Sequence, residues 1–402
     1  MKIRAAVLHA VGATAPYATS KPLVVEELEL AAPGPGEVLV KIGAAGLCHS
    51  DLSVINGDRP RPMPMALGHE AAGIVEELGE GVTDLKRGDH VVLVFVPSCG
   101  HCGPCSEGRP ALCEPGAAAN GAGTLLSGGR RLTRNGQTIN HHLGCSVFAE
   151  YATVSRRSVV KIDSELPLDE AALFGCAVLT GVGAVVNTAQ VRAGASVAVI
   201  GLGGVGLASL LGARAAGARQ IVAVDLSNAK LDLAKSLGAT HTFNAGNADC
   251  QEQIRELTSG GVEYAFELAG SVRALELAYK ITRRGGTTVT AGLPPPTAAF
   301  ALPAVNLVAE ERTLKGSYIG TCVPSRDIPR YIELYRQGRL PIDRLMSGKL
   351  KLEDINLGFD LLQAVQAAGR KDNLGTRVCQ DARKVLPEAR GSSGYQGCLA
   401  VE

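Results

Sequence analysis

The sequence has no excess of charge of one sign. Its 40 Lys and Arg face 39 Asp and Glu, for a net charge of +1. That balance excludes the broad basic field that draws in nucleic acid, and no acidic tail stands out. Long apolar runs are also lacking. The hydrophobic stretches are strand-length or amphipathic, and none reads as a membrane span. Met1–Val7 reads as an opening strand without the apolar core of an export signal, so a cytoplasmic location is expected. There are no repeats and no linker between independent modules. Charged residues make up only 20% of the chain, against 46% hydrophobic residues, a balance that suits a folded globular protein. With 402 residues there is room for two ordinary domains. The abundant residues are the informative ones: 49 glycines and 11 cysteines. An odd, clustered set of cysteines without an export signal points to metal more than to disulfides.

The glycines concentrate in Val197-Ala-Val-Ile-Gly-Leu-Gly-Gly-Val-Gly-Leu207. An apolar strand runs into Gly201, Gly203, Gly204, Val205 and Gly206, and an Ala- and Leu-rich helix follows to Ala216. This is the strand, turn and helix of a dinucleotide fingerprint. Gly201 permits the tight turn, Gly203 lets backbone approach a pyrophosphate, and Gly206 lets the helix pack on the strand. The free N–H groups of the helix N-terminus then face the phosphates. A second strand, Gln220–Val224, ends in Asp225, where a carboxylate would bind ribose hydroxyls and repel a 2′-phosphate. NAD is therefore favoured over NADP. The bland alternative is that Asp225 caps the next helix.

The cysteines fall into two patterns. Cys99, Cys102, Cys105 and Cys113 follow C-x2-C-x2-C-x7-C, a closed tetrahedral thiolate set that suits a structural zinc. Iron–sulfur clusters use related spacings. His101 lies inside this knuckle but reads as a surface residue, because four sulfurs already suffice. Cys48, His69 and Cys176 are scattered. Together they supply two sulfurs and an imidazole with a fourth position open, the arrangement of a catalytic zinc. Taken singly, each is equally a buried small residue or a core histidine. Asp51 could hold the second ring nitrogen of His69. Ser50 could pass on a proton, and Glu70 could place a charge beside the metal. Ordinary turn and cap roles are the alternative for all three.

These motifs resemble the medium-chain, zinc-dependent alcohol dehydrogenases. The likeness runs from Ile3 to Val378 and rests on Gly46–Asp51, Gly68-His-Glu70, the four-cysteine knuckle, Gly175-Cys176, Gly201–Gly206 with Asp225, and Gly285-Gly286. His141-His142, Asn187–Gln190 and the long stretch from Cys113 to Cys145 resemble the branch holding animal and plant alcohol dehydrogenases and glutathione-dependent formaldehyde dehydrogenases. The resemblance implies an α/β protein: a GroES-like β-rich catalytic domain plus a Rossmann doubly wound parallel sheet. The expected divisions are 1–178, 179–320 for NAD binding, and 321–402 as a return segment with a mobile tail from about 384. It implies two zincs per chain, with Cys48, His69 and Cys176 on the catalytic one. It places His49, Lys230, Gly292, Leu293 and Arg377 against the cofactor, and Phe95, Leu293 and Tyr318 in the substrate pocket. The activity implied is hydride transfer between NAD and a primary or aromatic alcohol or aldehyde. The alternatives are an S-(hydroxymethyl)glutathione-type or polyol dehydrogenase, or a non-catalytic scaffold.

Departures from the family pattern matter. A frequent relay histidine is Ser53 here, so the relay would end at the cofactor ribose or a water. His49 stands where arginine is common. Ala117 stands near the place of the arginine that recognises glutathione adducts. Phe300–Val308 is apolar and is expected near a sheet edge that relatives pair across a two-fold axis. A homodimer is expected, with a tetramer as the lesser option.

Overall fold

The computed structural model describes residues 1–367 and 398–401, with side chains through 364. Arg377 and most of the expected tail lie outside the described residues.

The first lobe is all β at its core. Five strands close a barrel in the order Lys2–Leu8, Leu23–Leu30, Leu132–Arg134, Gln137–His141 and Met65–Ala66. The barrel closes because Met65–Ala66, already paired with Gln137–His141, also pairs with the first strand. A second sheet runs Val159–Ile162, His90–Leu93, Ala71–Leu78, Glu37–Gly46, Cys398–Val401 and Met346–Leu350, and Tyr151–Ser155 also pairs with Glu37–Gly46. Cys398–Val401 departs from the expected mobile tail. It lies parallel to Met346–Leu350 and antiparallel to Glu37–Gly46, opposite Ala45 and Gly46.

The second lobe is a six-stranded, wholly parallel sheet. Its order is His241–Asn244, Gln220–Asp225, Ser196–Ile200, Val262–Glu267, Thr282–Thr290 and Thr313–Gly316. Helices cover both faces, which explains the unbroken apolar runs Val197–Ile200 and Ile221–Val224 in its central strands. Ala198, Ile200, Val222 and Val224 pack on one face, and Val197, Val199, Ile221 and Ala223 join the core on the other. Strand order reverses beside Ser196–Ile200, and a crevice forms at such a reversal. The edge strand is Thr313–Gly316. The apolar run expected near an edge forms the helix Ala304–Ala309 instead, with Val305 66% and Val308 81% exposed.

A broken helix ties the lobes together. Leu168–Gly175 and Ala177–Ala189 meet at a 50° bend. Cys176 stands at the break with φ −140° and ψ −73°. A Cβ on Gly175 would lie 2.4 Å from the Leu93 carbonyl, so the close approach here requires glycine. No single helix among the described residues is long and apolar enough to cross a membrane.

Candidate active site

Three separate segments deliver the scattered ligands to one point. Cys48 follows the strand Glu37–Gly46 and precedes the helix His49–Ile55. His69 and Glu70 precede the strand Ala71–Leu78. Cys176 comes from the helix break. One ligand atom from each of Cys48, His69, Glu70 and Cys176 lies within 4.8 Å of the other three. The Cys176 sulfur is 3.7 Å from His69 Nε2. His69 and Glu70 are buried, and Glu70 Oε2 has no hydrogen-bond partner.

The charges here are poised for a cation. Contact with Cys176, and then the His69 charge, hold the Cys48 thiol well below its usual value despite burial. The same contact, with burial, pushes Cys176 well above it. Burial and the nearby Cys48 push Glu70 up to about 8. Two sulfurs, one imidazole nitrogen and an unpartnered buried carboxylate oxygen fit a divalent metal of zinc's ligand preference.

Asp51 sets the orientation. Its carboxylate lies 3.1 Å from His69 Nδ1 and accepts the Gly68 N–H at 3.1 Å. With Nδ1 so engaged, Nε2 is left as the donor to a metal. His142 Nδ1 also lies 3.1 Å from Asp51, and its ring stands edge-on to His69 at 5.5 Å. Burial works against the Asp51 charge, but His69 and His142 together outweigh it and keep the carboxylate below its ordinary range.

The knuckle is built differently. Cys99, Cys102, Cys105 and Cys113 also bring their sulfurs within 4.8 Å of one another, and all are free thiols. Backbone N–H groups of His101 and Cys102 donate to Cys99 Sγ at 3.5 and 3.3 Å, and Cys99 N–H donates to Cys113 Sγ at 3.1 Å. These donors, His101 first, bring Cys99 down to about 6. His101 is exposed, with Nδ1 turned to the Cys99 carbonyl, as expected of a residue outside the ligand set.

The glycine turn has the shape a dinucleotide needs. Gly201 has φ +90°, and a Cβ there would lie 2.6 Å from the Ala269 nitrogen. A Cβ on Gly206 would lie 1.8 Å from the Gly201 carbonyl, whereas one on Gly203 would meet only open space. The helix Gly204–Ala215 begins there, with Val205 and Gly206 in its first turn. Asp225 ends the second strand. It accepts the Leu202 N–H at 2.7 Å and the Ser227 N–H at 2.9 Å. It therefore clips the glycine turn to the strand end and lies outside the helix Asn228–Leu237. Lys230 is buried, with Nζ 3.9 Å from Asp225; burial lowers its pKa and Asp225 opposes that.

Residues 34–164 match the alcohol dehydrogenase GroES-like domain, and residues 204–337 match the zinc-binding dehydrogenase domain. S-(hydroxymethyl)glutathione dehydrogenase of Synechocystis is 40% identical, over 90% of this chain and 97% of its own length. Alcohol dehydrogenase class-3 of Drosophila melanogaster is 40% identical, over 86% and 93%. The crystal structure of benzyl alcohol dehydrogenase from Acinetobacter calcoaceticus superposes with a TM-score of 0.84 at 32% identity, covering 100% of this chain and 99% of the other.

The chain belongs to the zinc-dependent alcohol dehydrogenases. It is an oxidoreductase of that family, with zinc and NAD as its cofactors.

A row of rings adjoins the cluster. Phe95 packs edge-on to His69 at 5.1 Å, and Tyr318 edge-on to Phe95 at 6.4 Å. Leu293 is 54% exposed, on the loop after the strand Thr282–Thr290. Ser50 lies in the first turn of the helix that begins at His49. Ser53 donates to the His49 carbonyl at 2.9 Å, so its hydroxyl is committed to the helix backbone.

Sequence reasoning missed three contributors. His142 served only as a branch marker, yet it contacts both Asp51 and His69. Glu267 ends the strand Val262–Glu267. It is buried, accepts the Gly270 N–H at 2.7 Å and the Thr290 hydroxyl at 2.7 Å, and so joins the ends of two central strands. A buried acid at a strand's carboxyl end was the available signal. Arg59 reaches across the lobes and donates to the Leu293 carbonyl at 3.0 Å. Nothing local in the sequence pairs those two residues.

Proposed function

We propose that the protein oxidises primary or aromatic alcohols with NAD, and reduces the matching aldehydes, at the Cys48–His69–Cys176 site. The supporting observation is the convergence of these three residues beside the Phe95–Tyr318 wall. Zinc held there would supply Lewis acidity that lowers the pKa of an alcohol, and NAD would accept the hydride. The chain does the rest. Asp51 fixes the His69 ring. Ser50 takes the hydroxyl proton and passes it toward the cofactor ribose or water, since Ser53 is occupied. Phe95 and Tyr318 exclude water from one side. Asp225 and Lys230 hold the adenosine ribose, Gly201–Gly206 the pyrophosphate with His49 close by, and Gly292 and Leu293 the nicotinamide. Cys99, Cys102, Cys105 and Cys113 hold the structural zinc. Glu70 stays beside the catalytic metal as a nearby charge.

Two apolar residues on the helix Ala304–Ala309, Val305 and Val308, support a homodimer. A cytoplasmic location accords with the same reading. A thiol-adduct substrate is the second reading, favoured by the Synechocystis relative. Exposed Ala117 offers such an adduct no charge.

The test is NADH formation from aliphatic and benzylic alcohols, run in parallel with NADP. Turnover with NAD is expected to exceed that with NADP. The Asp225→Ser variant should lose about tenfold or more in kcat/KM for NAD, from one charge-assisted hydrogen bond. Equal use of both cofactors by the unaltered enzyme would overturn the Asp225 assignment.

A further inference from the structure

Two arginines beside the site, Arg59 and Arg61, have no ion-pair partner among the described residues. The segment Arg59-Pro-Arg-Pro-Met-Pro64 lies between the first metal cysteine and His69. Three prolines stiffen it. Asn140 fastens it further, donating Nδ2 to the Pro62 and Pro64 carbonyls at 3.3 and 2.9 Å. Arg59 N–H donates to the Ser53 carbonyl at 2.8 Å, which ties the segment to the helix that follows Cys48. This is a rigid presentation of two guanidinium groups.

Arg59 is half-buried and spends Nη2 on the Leu293 carbonyl at 3.0 Å. Arg61 is half-buried, and its Nε is buried with no hydrogen-bond partner. Among the described residues, no carboxylate stands within ion-pair distance of either. Asp58 is close in sequence but exposed, and its carboxylate accepts the Asn56 amide at 2.9 Å. Both arginines are close enough to act on Tyr318: burial pushes its phenol up, and the charges of His69, then of Arg61 and Arg59, oppose that. Tyr318 in turn packs on Phe95, and Phe95 on His69. The guanidinium groups thus adjoin the wall that leads to the metal ligands.

A buried guanidinium N–H without an acceptor is a cost unless a ligand supplies one. Two like charges held together add to it. Guanidinium groups match carboxylates through paired N–H donors. Resting on the dehydrogenase reading above, we propose that Arg61, assisted by Arg59, binds a carboxylate on the substrate. The enzyme's preferred alcohol or aldehyde then carries an acid group at the end remote from the reacting carbon. The chemistry at that carbon is the family's own: hydride leaves for NAD and the hydroxyl proton leaves through Ser50. The cofactor's phosphates do not explain the pair, because the open face at Gly203 and the helix start at Gly204 serve them in the other lobe.

The test uses the full-length holoenzyme with zinc and NAD and matched alcohols: 4-hydroxybutanoate against 1-butanol, and 4-(hydroxymethyl)benzoate against benzyl alcohol. The readout is the ratio of kcat/KM, acid over neutral. The unaltered enzyme should favour the acid member of at least one pair by tenfold or more. Arg61→Gln should bring that ratio to near one, chiefly through KM, and Arg61→Lys should restore part of it. NADH affinity, measured by its fluorescence, should change less than threefold in both variants. S-(hydroxymethyl)glutathione serves as a third arm. Turnover of it that Arg61→Gln lowers in the same way would assign the carboxylate to a thiol adduct. Turnover of neutral alcohols with no acid preference would overturn this inference and leave the dehydrogenase reading standing. A loss of NADH affinity equal to the loss on acids would overturn it in favour of a cofactor role. No turnover on any arm would overturn both.

Discussion

The two cysteine clusters place their ligand atoms within the same 4.8 Å, yet they are built in opposite ways. The knuckle draws its four sulfurs from a stretch of 15 residues, Cys99 to Cys113. It lies near the surface, and its own backbone N–H groups donate to the sulfurs. The Cys48–His69–Cys176 cluster draws on two segments of the first lobe and the helix bend that joins the lobes. It is nearly enclosed, and a buried carboxylate orients its histidine. A local loop can hold a closed metal site, because few chain degrees of freedom need fixing. An open site that must admit substrate and cofactor needs residues brought together by the whole fold. The first arrangement suits stability, and the second suits chemistry.

The sharpest way to break this contrast is to remove one ligand from each cluster. Cys176→Ser should cut turnover by about a thousandfold or more, the scale of several kcal/mol of Lewis-acid stabilisation. Zinc per chain should fall from two to one while the chain stays folded. If this variant keeps its turnover, the buried cluster is not the catalytic one. Asp51→Asn comes next. It leaves the shape intact but weakens the hold on His69 Nδ1, and zinc affinity at that site should drop about 10- to 100-fold. Competition with a chelator measures it, and an unchanged affinity would remove Asp51 from its orienting role.

On the other side of the comparison, Cys105→Ser should lower the thermal midpoint by about 10 °C, a few kcal/mol at roughly 2–4 °C each. Its kcat, measured on the folded fraction at low temperature, should stay within about threefold, as expected of a substitution remote from the transition state. A loss of turnover as large as that of Cys176→Ser would mean that the two clusters do not divide their work. The smallest effect concerns reactivity in zinc-free protein. Backbone donors hold Cys99 at about 6, whereas burial pushes Cys105 up to about 12. A lowered thiol pKa leaves thiolate dominant above it, so Cys99 is mostly ionised at pH 7 and Cys105 is not. Alkylation followed by peptide mapping should therefore label Cys99 first, and the difference should shrink as the pH falls below 6. Equal labelling at pH 7 would contradict the role of the N–H donors.

The same contrast explains what could be read from sequence. The knuckle and the glycine turn were legible because their meaning lies in short spacing: C-x2-C-x2-C, and strand–glycine–helix. Asp225 was legible because it ends the strand after that turn. The scattered cluster was legible only through resemblance, since nothing in the spacing of Cys48, His69 and Cys176 requires them to meet. The helix break at Cys176, His142 beside Asp51, and Arg59 reaching Leu293 depend on how the two lobes pack. Those contacts join residues up to 234 positions apart, beyond any local pattern. The first-lobe barrel proved closed because the two-residue strand Met65–Ala66, too short to show alternation, completes it. Phe300–Val308 is apolar, but its second half coils into a helix just before the edge strand Thr313–Gly316.

We propose that one chain holds two zincs and that only the enclosed one does chemistry. The most direct test is zinc per chain and NADH formation measured on the same purified preparation while a chelator removes metal stepwise. The account predicts two zincs at the start and NADH formation that falls in proportion to the loss of one of them. Full activity with a single zinc bound only by the knuckle, or two zincs with no turnover on any alcohol, would contradict it.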